Sequence, residues 1–213
     1  MIIMQPQDAL KFLKKEYPKT KYYLNFSNPL ELLVAAIMSA QARDAVVNAT
    51  TPNLFKKYRT AKDYANADFS ELSNDINAVN FPVPKAKNII AACKILVEKH
   101  GGKVPASMEE LIELPGVGRK TANAIMQNAF GRTEGVVVDT HVIRVSYRLG
   151  WTKQTNPEKI ERELMQLFPK KEWKKLPHLL KDHGRAVCRA PMPVCSRCTL
   201  GKICPRQGVT KSL

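Results

Sequence analysis

Apolar positions along this chain recur mainly at helical spacing, and the alternation that a half-buried strand needs is scarce. Residues 86–100 repeat with a helical period and stop at Gly101-Gly102. Leu32 to Ala40 is apolar on nearly all sides, which marks a helix buried all round. Asn28-Pro29-Leu30-Glu31 precedes it. These residues supply an N-cap, a proline at the first helical position and a glutamate to close a capping box. Ser107-Met108-Glu109-Glu110 forms a second such signal, opening a short helix that ends at Pro115. Residues 119–130 run as a helix to Gly131. Val136-Val137-Val138 is the best strand-like run, but three residues do not make a sheet. Asp139 caps a helix that ends at Gly150, and Asn156-Pro157 starts another. A last helix runs from near Pro177 to Cys188. The pattern predicts an all-α protein of about ten helices with short connections and no tandem repeat.

Composition adds a partner class. The chain has 213 residues, enough for one large domain or two small ones, and an ordinary apolar share of 44%. Lys+Arg total 34 against 19 Asp+Glu, a net charge of +15. Such an excess favours a polyanion, nucleic acid first and an anionic membrane surface second. Residues 136–213 hold 16 basic and 6 acidic residues, net +10, whereas residues 23–135 hold 13 and 11. Charge concentrated in this way reads as a binding face, and it places a domain boundary near residue 135. No apolar run is long enough to span a bilayer. Met1 to Lys21 has no apolar core followed by a small-residue cleavage site. The expected location is therefore intracellular, where thiols stay reduced.

Four of the five cysteines then need a role. Cys188, Cys195, Cys198 and Cys204 follow the spacing C-x6-C-x2-C-x5-C. Such clustering signals a metal site, and spacing alone leaves zinc and an iron–sulfur cluster both open. Arg189, Arg197, Lys202 and Arg206 interleave with the thiols and would offset their charge. Cys93 stands apart and reads as a small buried hydrophobe. His141 either lines a site or serves in ordinary capping and packing.

Leu114-Pro-Gly-Val-Gly-Arg-Lys-Thr-Ala122 carries the densest chemistry. Pro115 and Gly116 stop one helix, and Arg119 opens the next. Gly116 and Gly118 are expected to take positive φ and to permit close backbone approach. The N–H groups of such a hairpin suit a phosphate, which makes Gly116, Gly118, Arg119 and Thr121 candidate DNA contacts. Lys120 would then lie near that phosphate's sugar. Partial desolvation, a helix N-terminus and Arg119 would favour its neutral, nucleophilic form, with C1′ of a deoxyribose as the electrophile. Asp139 lies 19 residues on. Taken singly, Lys120 also reads as a solvated helix residue and Asp139 as a plain N-cap.

Their company decides between these readings. Ser39-Ala40-Gln41-Ala42-Arg43-Asp44, Leu114 to Ala122, Val138-Asp139-Thr140-His141, His183-Gly184-Arg185 and the four cysteines occur in that order. From about Leu30 to Pro205 the chain resembles the endonuclease III family of DNA glycosylases, within the helix-hairpin-helix glycosylase superfamily. The resemblance implies that Lys120 is a Schiff-base lysine and Asp139 a catalytic aspartate. It implies that the four cysteines hold a structural [4Fe–4S] cluster and that Gln41 fills the gap left by a flipped base. It also implies two helical domains with DNA in a cleft between them. One is a six-helix barrel with the hairpin, residues 23–135. The other joins residues 1–22 to 136–213 and carries the cluster.

The implied activity is a bifunctional glycosylase and abasic-site lyase for oxidised pyrimidines in duplex DNA, acting as a monomer with no membrane partner. A mismatch glycosylase for adenine or thymine is the alternative enzyme, and Lys120 argues against it because such relatives typically lack that lysine. A non-catalytic DNA-binding protein with a structural metal site needs neither Lys120 nor Asp139. The stretch Asn80-Phe81-Pro82-Val83-Pro84 departs from the family pattern, which generally has glycine where Asn80 stands. Phe81 falls where the family often carries an apolar wedge, although packing between helices would suit it equally. The two prolines are expected to stiffen this loop.

Overall fold

Helix starts are set by side chains that the sequence places at them. A computed structural model describes residues 5–213. The first four residues, part of the N-terminal stretch scanned for a leader, lie outside the described residues. In chain order the helices are α1 (Pro6–Glu16), α2 (Pro29–Ser39), α3 (Asp44–Lys57), α4 (Ala61–Ala65), α5 (Phe69–Asp75) and α6 (Pro82–His100). They continue as α7 (Met108–Ile112), α8 (Arg119–Ala129), α9 (Thr140–Arg148), α10 (Pro157–Leu167), α11 (Lys170–Trp173) and α12 (Leu176–Ala186). A single 3₁₀ turn, Cys195–Arg197, lies among the cysteines. The described residues contain no strand, and Val136 and Val138 are buried in extended backbone.

The caps are close to those expected, with small shifts. Asn28 accepts the Glu31 N–H at 3.0 Å. Glu31 closes back onto the Ser27 N–H at 2.6 Å, one residue earlier than a standard box. Ser107 caps α7 through the Glu110 N–H, but its hydroxyl donates to Glu109, so the expected box does not close. The full box is at Thr60 and Asp63, where α4 begins. Pro82 and Pro84 do not stiffen a loop. They occupy the first turn of α6, whose N–H groups have no intrahelical partner to lose. Twelve α-helices among the described residues exceed the predicted ten, chiefly because α4, α5 and α11 are too short to show a period.

The chain divides into two compact units, Tyr23–Arg132 and a discontinuous one formed by Met1–Tyr22 with Thr133–Leu213. In the first unit α2 is the central element, and Leu32 to Met38 are buried throughout. Burying one such leucine stabilises the fold by about 2 kcal/mol. Helix α8 packs on α2 and α7, and α6 packs on α2, α4 and α5. Cys93 is buried on α6, and burial pushes its thiol up to about 12, as its bland reading requires. In the second unit α12 packs against both α1 and α9. Its core gathers Leu13, Val142, Val145, Ile160, Leu164, Leu179 and Leu180 around Trp151 and Phe168.

Candidate nucleic-acid interface and metal centre

The hairpin of the first unit is built on one tight turn. The Val117 N–H donates to the Leu114 carbonyl at 3.0 Å, with Pro115 and Gly116 between them. Gly116 has φ 81°. Proline followed by a positive-φ glycine is the signature of a type II turn. Leu114 and Val117 are both buried and pin its two ends. A methyl group on Gly116 would also lie 3.0 Å from Asn88 on α6.

Gly118 differs from expectation. Its φ is −90°, ordinary extended backbone, so it is not a positive-φ position. It is the N-cap of α8, offers no side chain to the first-turn N–H groups, and has nothing within 4 Å of where a Cβ would stand. Gly116→Ala is therefore expected to lose about 1–3 kcal/mol of stability through forced positive φ. Gly118→Ala should change stability by no more than ~0.5 kcal/mol. Thermal unfolding of the two variants checks this contrast.

Lys120 is the second residue of α8 and is exposed, as are Gly118 and Arg119; Thr121 is half-buried. The partial desolvation expected of Lys120 is thus not supplied by its own unit and must come from whatever docks there.

A second feature of the first unit joins Gln41 to Asn80. Gln41 follows α2 with φ 52°, and Phe81 precedes α6 with φ 58° and ψ 55°. Non-glycine residues held in this region each cost on the order of 1–3 kcal/mol. The Asn80 amide donates to the Gln41 carbonyl at 2.8 Å and ties the two loops together. Gln41, Arg43, Val46 and Asn80 line a shallow pocket between them. Phe81 is 59% exposed, so it does not pack between helices.

In the second unit, Asp139 is the N-cap of α9. One carboxylate oxygen accepts the His141 and Val142 N–H groups, each at 2.9 Å. The other oxygen is not used by the cap. Nδ1 of His141 lies 3.1 Å from the Arg144 guanidinium. A guanidinium only donates, so Nδ1 accepts and the ring is neutral. Burial holds His141 below its ordinary range, the cations Arg144, Arg185 and Lys181 reinforce this, and Asp139 opposes it. Arg144 also donates to the Gly184 carbonyl at 3.0 Å and to the Cys188 carbonyl at 3.1 Å. A methyl on Gly184 would meet Arg144 and His141 at 3.0 Å, so this glycine lets α12 approach α9. His141 therefore bridges the Asp139 cap and the cysteine loop. Lys120 belongs to the first unit and Asp139 to the second.

Cys188, Cys195, Cys198 and Cys204 line a single cavity. Several N–H groups point at their sulfurs. The Leu200 amide serves Cys198, the Arg206 amide lies 3.4 Å from Cys204, and the Arg148 guanidinium lies 3.5 Å from Cys188. Arg148 further donates to the Arg189 and Pro191 carbonyls at 2.7 and 3.2 Å, and its own carbonyl accepts the Gln207 N–H. The backbone of Leu213 pairs with Ser196 and Pro193. Burial, with the neighbouring cysteines, pushes the Cys198 thiol up to about 11, and burial raises Cys204. Four ionised thiols in one cavity would need an offsetting cation. The donor set is four sulfurs, two of which, Cys198 and Cys204, receive amide hydrogen bonds, which suits an iron–sulfur cluster.

Sequence reasoning missed Arg144, Arg148, Tyr17 and the role of His183. Each acts through contacts more than forty residues away or through backbone carbonyls, which leave no local pattern.

The family profile described as HhH-GPD superfamily base excision DNA repair protein matches residues 34–170. The endonuclease III of Synechocystis sp. is 48% identical over 198 residues, which cover 93% of this chain and 90% of that protein. The chain belongs to the endonuclease III family. Among solved structures of that family, a non-covalent endonuclease III–DNA complex superposes with a TM-score of 0.91 at 40% identity. It covers 97% of this chain and 96% of its own. A trapped endonuclease III–DNA covalent intermediate, an estranged-adenine complex, gives the same TM-score and identity. It covers 97% of each chain. The all-helical endonuclease III fold predicted from sequence is therefore the fold of this chain. Among the described residues no helix is long and apolar enough to cross a membrane.

Proposed function

We propose that this chain is a bifunctional DNA glycosylase and abasic-site lyase that removes oxidised pyrimidines from duplex DNA, with Lys120 as nucleophile and Asp139 as its partner. The observation that carries the reading is the exposed Lys120 on an α8 start that no side chain caps, within a family one of whose members has been trapped covalently on DNA. A covalent intermediate needs a nucleophile on the protein, and pure DNA binding does not.

The damaged nucleotide must leave the stack before its glycosidic bond can be reached. Gln41 and Phe81, tied together through Asn80, fill the space it vacates. The N–H groups at the start of α8 and the turn at Gly116 hold a backbone phosphate, and Gly118 leaves room for it. The amine of Lys120 gives up its proton and attacks C1′. The C1′–N bond breaks, and the base departs with the electron pair and takes up a proton. Asp139 stabilises positive charge that develops on the sugar and assists the proton transfer. The C1′–O4′ bond then opens, O4′ takes up a proton, and the resulting iminium at C1′ acidifies the C2′ proton. Loss of that proton expels the 3′ phosphate, and water then releases Lys120 from the sugar. His141 and Arg144 keep the Asp139 cap in register.

Cys188, Cys195, Cys198 and Cys204 would hold a [4Fe–4S] cluster, which when bound supplies a structural crosslink for the C-terminal loop. Base removal needs no chemistry from it. The basic residues of 136–213 bind the phosphate backbone.

Incubation with a duplex carrying either an oxidised pyrimidine or an abasic site, followed by borohydride, should give a covalent protein–DNA adduct. No adduct on the abasic duplex would refute the lyase reading. Affinity for duplex should fall linearly on a log–log plot against salt, with a slope of about −0.9 per phosphate neutralised. A flat response in a salt titration would contradict the assignment of the basic C-terminal residues to DNA.

A further inference from the structure

His183 is the buried polar group that the proposed mechanism leaves without a task. It is 2% exposed on α12. Its Nδ1 lies 3.2 Å from the Tyr17 hydroxyl of α1, and its Nε2 lies 3.7 Å from the sulfur of Cys198. The Tyr17 and His183 rings meet edge to face, with centroids 6.0 Å apart. One imidazole therefore spans a phenol and a thiol, and its tautomer sets the direction of both hydrogen bonds.

We propose that Tyr17 and His183 form a relay that delivers an N–H hydrogen bond to the sulfur of Cys198 and so tunes the cluster that this sulfur ligates. The proposal rests on the [4Fe–4S] reading of the four cysteines. A metal-bound thiolate has no proton and can only accept. It selects the tautomer with hydrogen on Nε2, which leaves Nδ1 as an acceptor for the Tyr17 hydroxyl. A free thiol at Cys198 would donate instead and favour the opposite tautomer. Ligation therefore sets the orientation of the whole chain of hydrogen bonds.

The surroundings suit this role. With Nε2 facing the sulfur and Nδ1 facing the phenol hydroxyl, one ring nitrogen donates and the other accepts, so the ring is neutral and carries one N–H. Burial first, with nearby acidic groups and thiols, keeps Tyr17 protonated, up to about 12. Neither group adds charge beside the cluster. Hydrogen bonds to ligating sulfur withdraw electron density, favour the reduced state and weaken the iron–sulfur bond. His183 is thus a positioning and tuning residue rather than a ligand, since the cysteines already number four.

Three variants of the full chain test the relay, each isolated with its cluster. His183→Phe keeps a ring and removes the N–H. His183→Gln keeps an N–H. Tyr17→Phe removes only the hydroxyl that donates to Nδ1. Resonance Raman should show the iron–cysteine stretch moving to higher frequency in His183→Phe, and voltammetry should show its midpoint potential moving lower. His183→Gln should restore most of both shifts. Tyr17→Phe should move both in the same direction by less, and it decides the matter should His183→Phe fail to fold.

Native frequency and potential in both Phe variants, with nothing changed but thermal stability, would overturn the relay and leave the cluster reading intact. Native protein carrying stoichiometric zinc, or no iron, would overturn both.

Discussion

Lys120→Ala is expected to fold as well as the native chain and to form no adduct with an abasic duplex under borohydride. The two halves of this expectation have separate grounds. Lys120 is exposed at the second position of α8, and alanine is the best helix former, so thermal stability should move by no more than ~0.5 kcal/mol. Strand cleavage should fall by roughly a thousand-fold or more, because removing a nucleophile removes the covalent path itself. Equilibrium binding to duplex should fall much less. The phosphate grip comes from backbone N–H groups and from many basic residues, of which one is lost. Gel analysis of trapped and cleaved products, beside a binding titration, separates the effects. A Cys93→Ser control, altered at a buried thiol far along α6, should still trap. An adduct that persists in Lys120→Ala would move the nucleophile elsewhere.

Asp139→Asn should also abolish most activity, and it distinguishes the two roles that one carboxylate holds. As N-cap, Asp139 needs only an oxygen that accepts from the His141 and Val142 N–H groups. Asparagine provides that oxygen and caps about as well. As a catalytic group, Asp139 needs negative charge near a developing oxocarbenium ion and a basic site for a proton, and asparagine provides neither. The expected outcome is near-native unfolding temperature with base release slowed by about 10²–10⁴-fold. Asp139→Ala should lose the same activity and in addition about 1 kcal/mol of stability with the cap. If Asp139→Asn instead released bases at the native rate, Asp139 would be a cap and nothing more. Single-turnover base release measured beside calorimetry makes the comparison direct.

The hairpin and the cysteine cluster stand out in the sequence for different reasons. The hairpin declares itself because Pro115 and Gly116 admit few conformations and because Leu114 and Val117 flank them as anchors. The four cysteines declare themselves because they lie at short spacings in a chain where cysteine is otherwise scarce. What distinguishes Gly118 from Gly116 was hidden. The letters are identical, yet one glycine is needed by the turn and by Asn88, while the other only leaves space.

Helices α4 and α5 were hidden because they have five and seven residues, too few to show a period, and depend on caps at Thr60 and Asp68 and on packing against α6. Pro52 lies inside α3, and buried Val47 and Leu54 hold that helix across it. The prolines at 82 and 84 were read as loop residues, although a helix start is where proline costs least. Contacts such as Tyr17 to His183, 166 residues apart, leave no trace in any window of the chain.

The division of the chain at 22 and 132 also bears on how the protein is made. The unit Tyr23–Arg132 is one unbroken stretch with its own core, and it can fold while the rest is still on the ribosome. The other unit must unite α1 with segments that follow Tyr23–Arg132 in the chain. Its cysteine loop is fastened by Leu213 pairing with Pro193 and Ser196. The four thiols therefore take up their arrangement only when this segment pairs, and a metal that they would hold would be received by a chain whose other unit can already be folded.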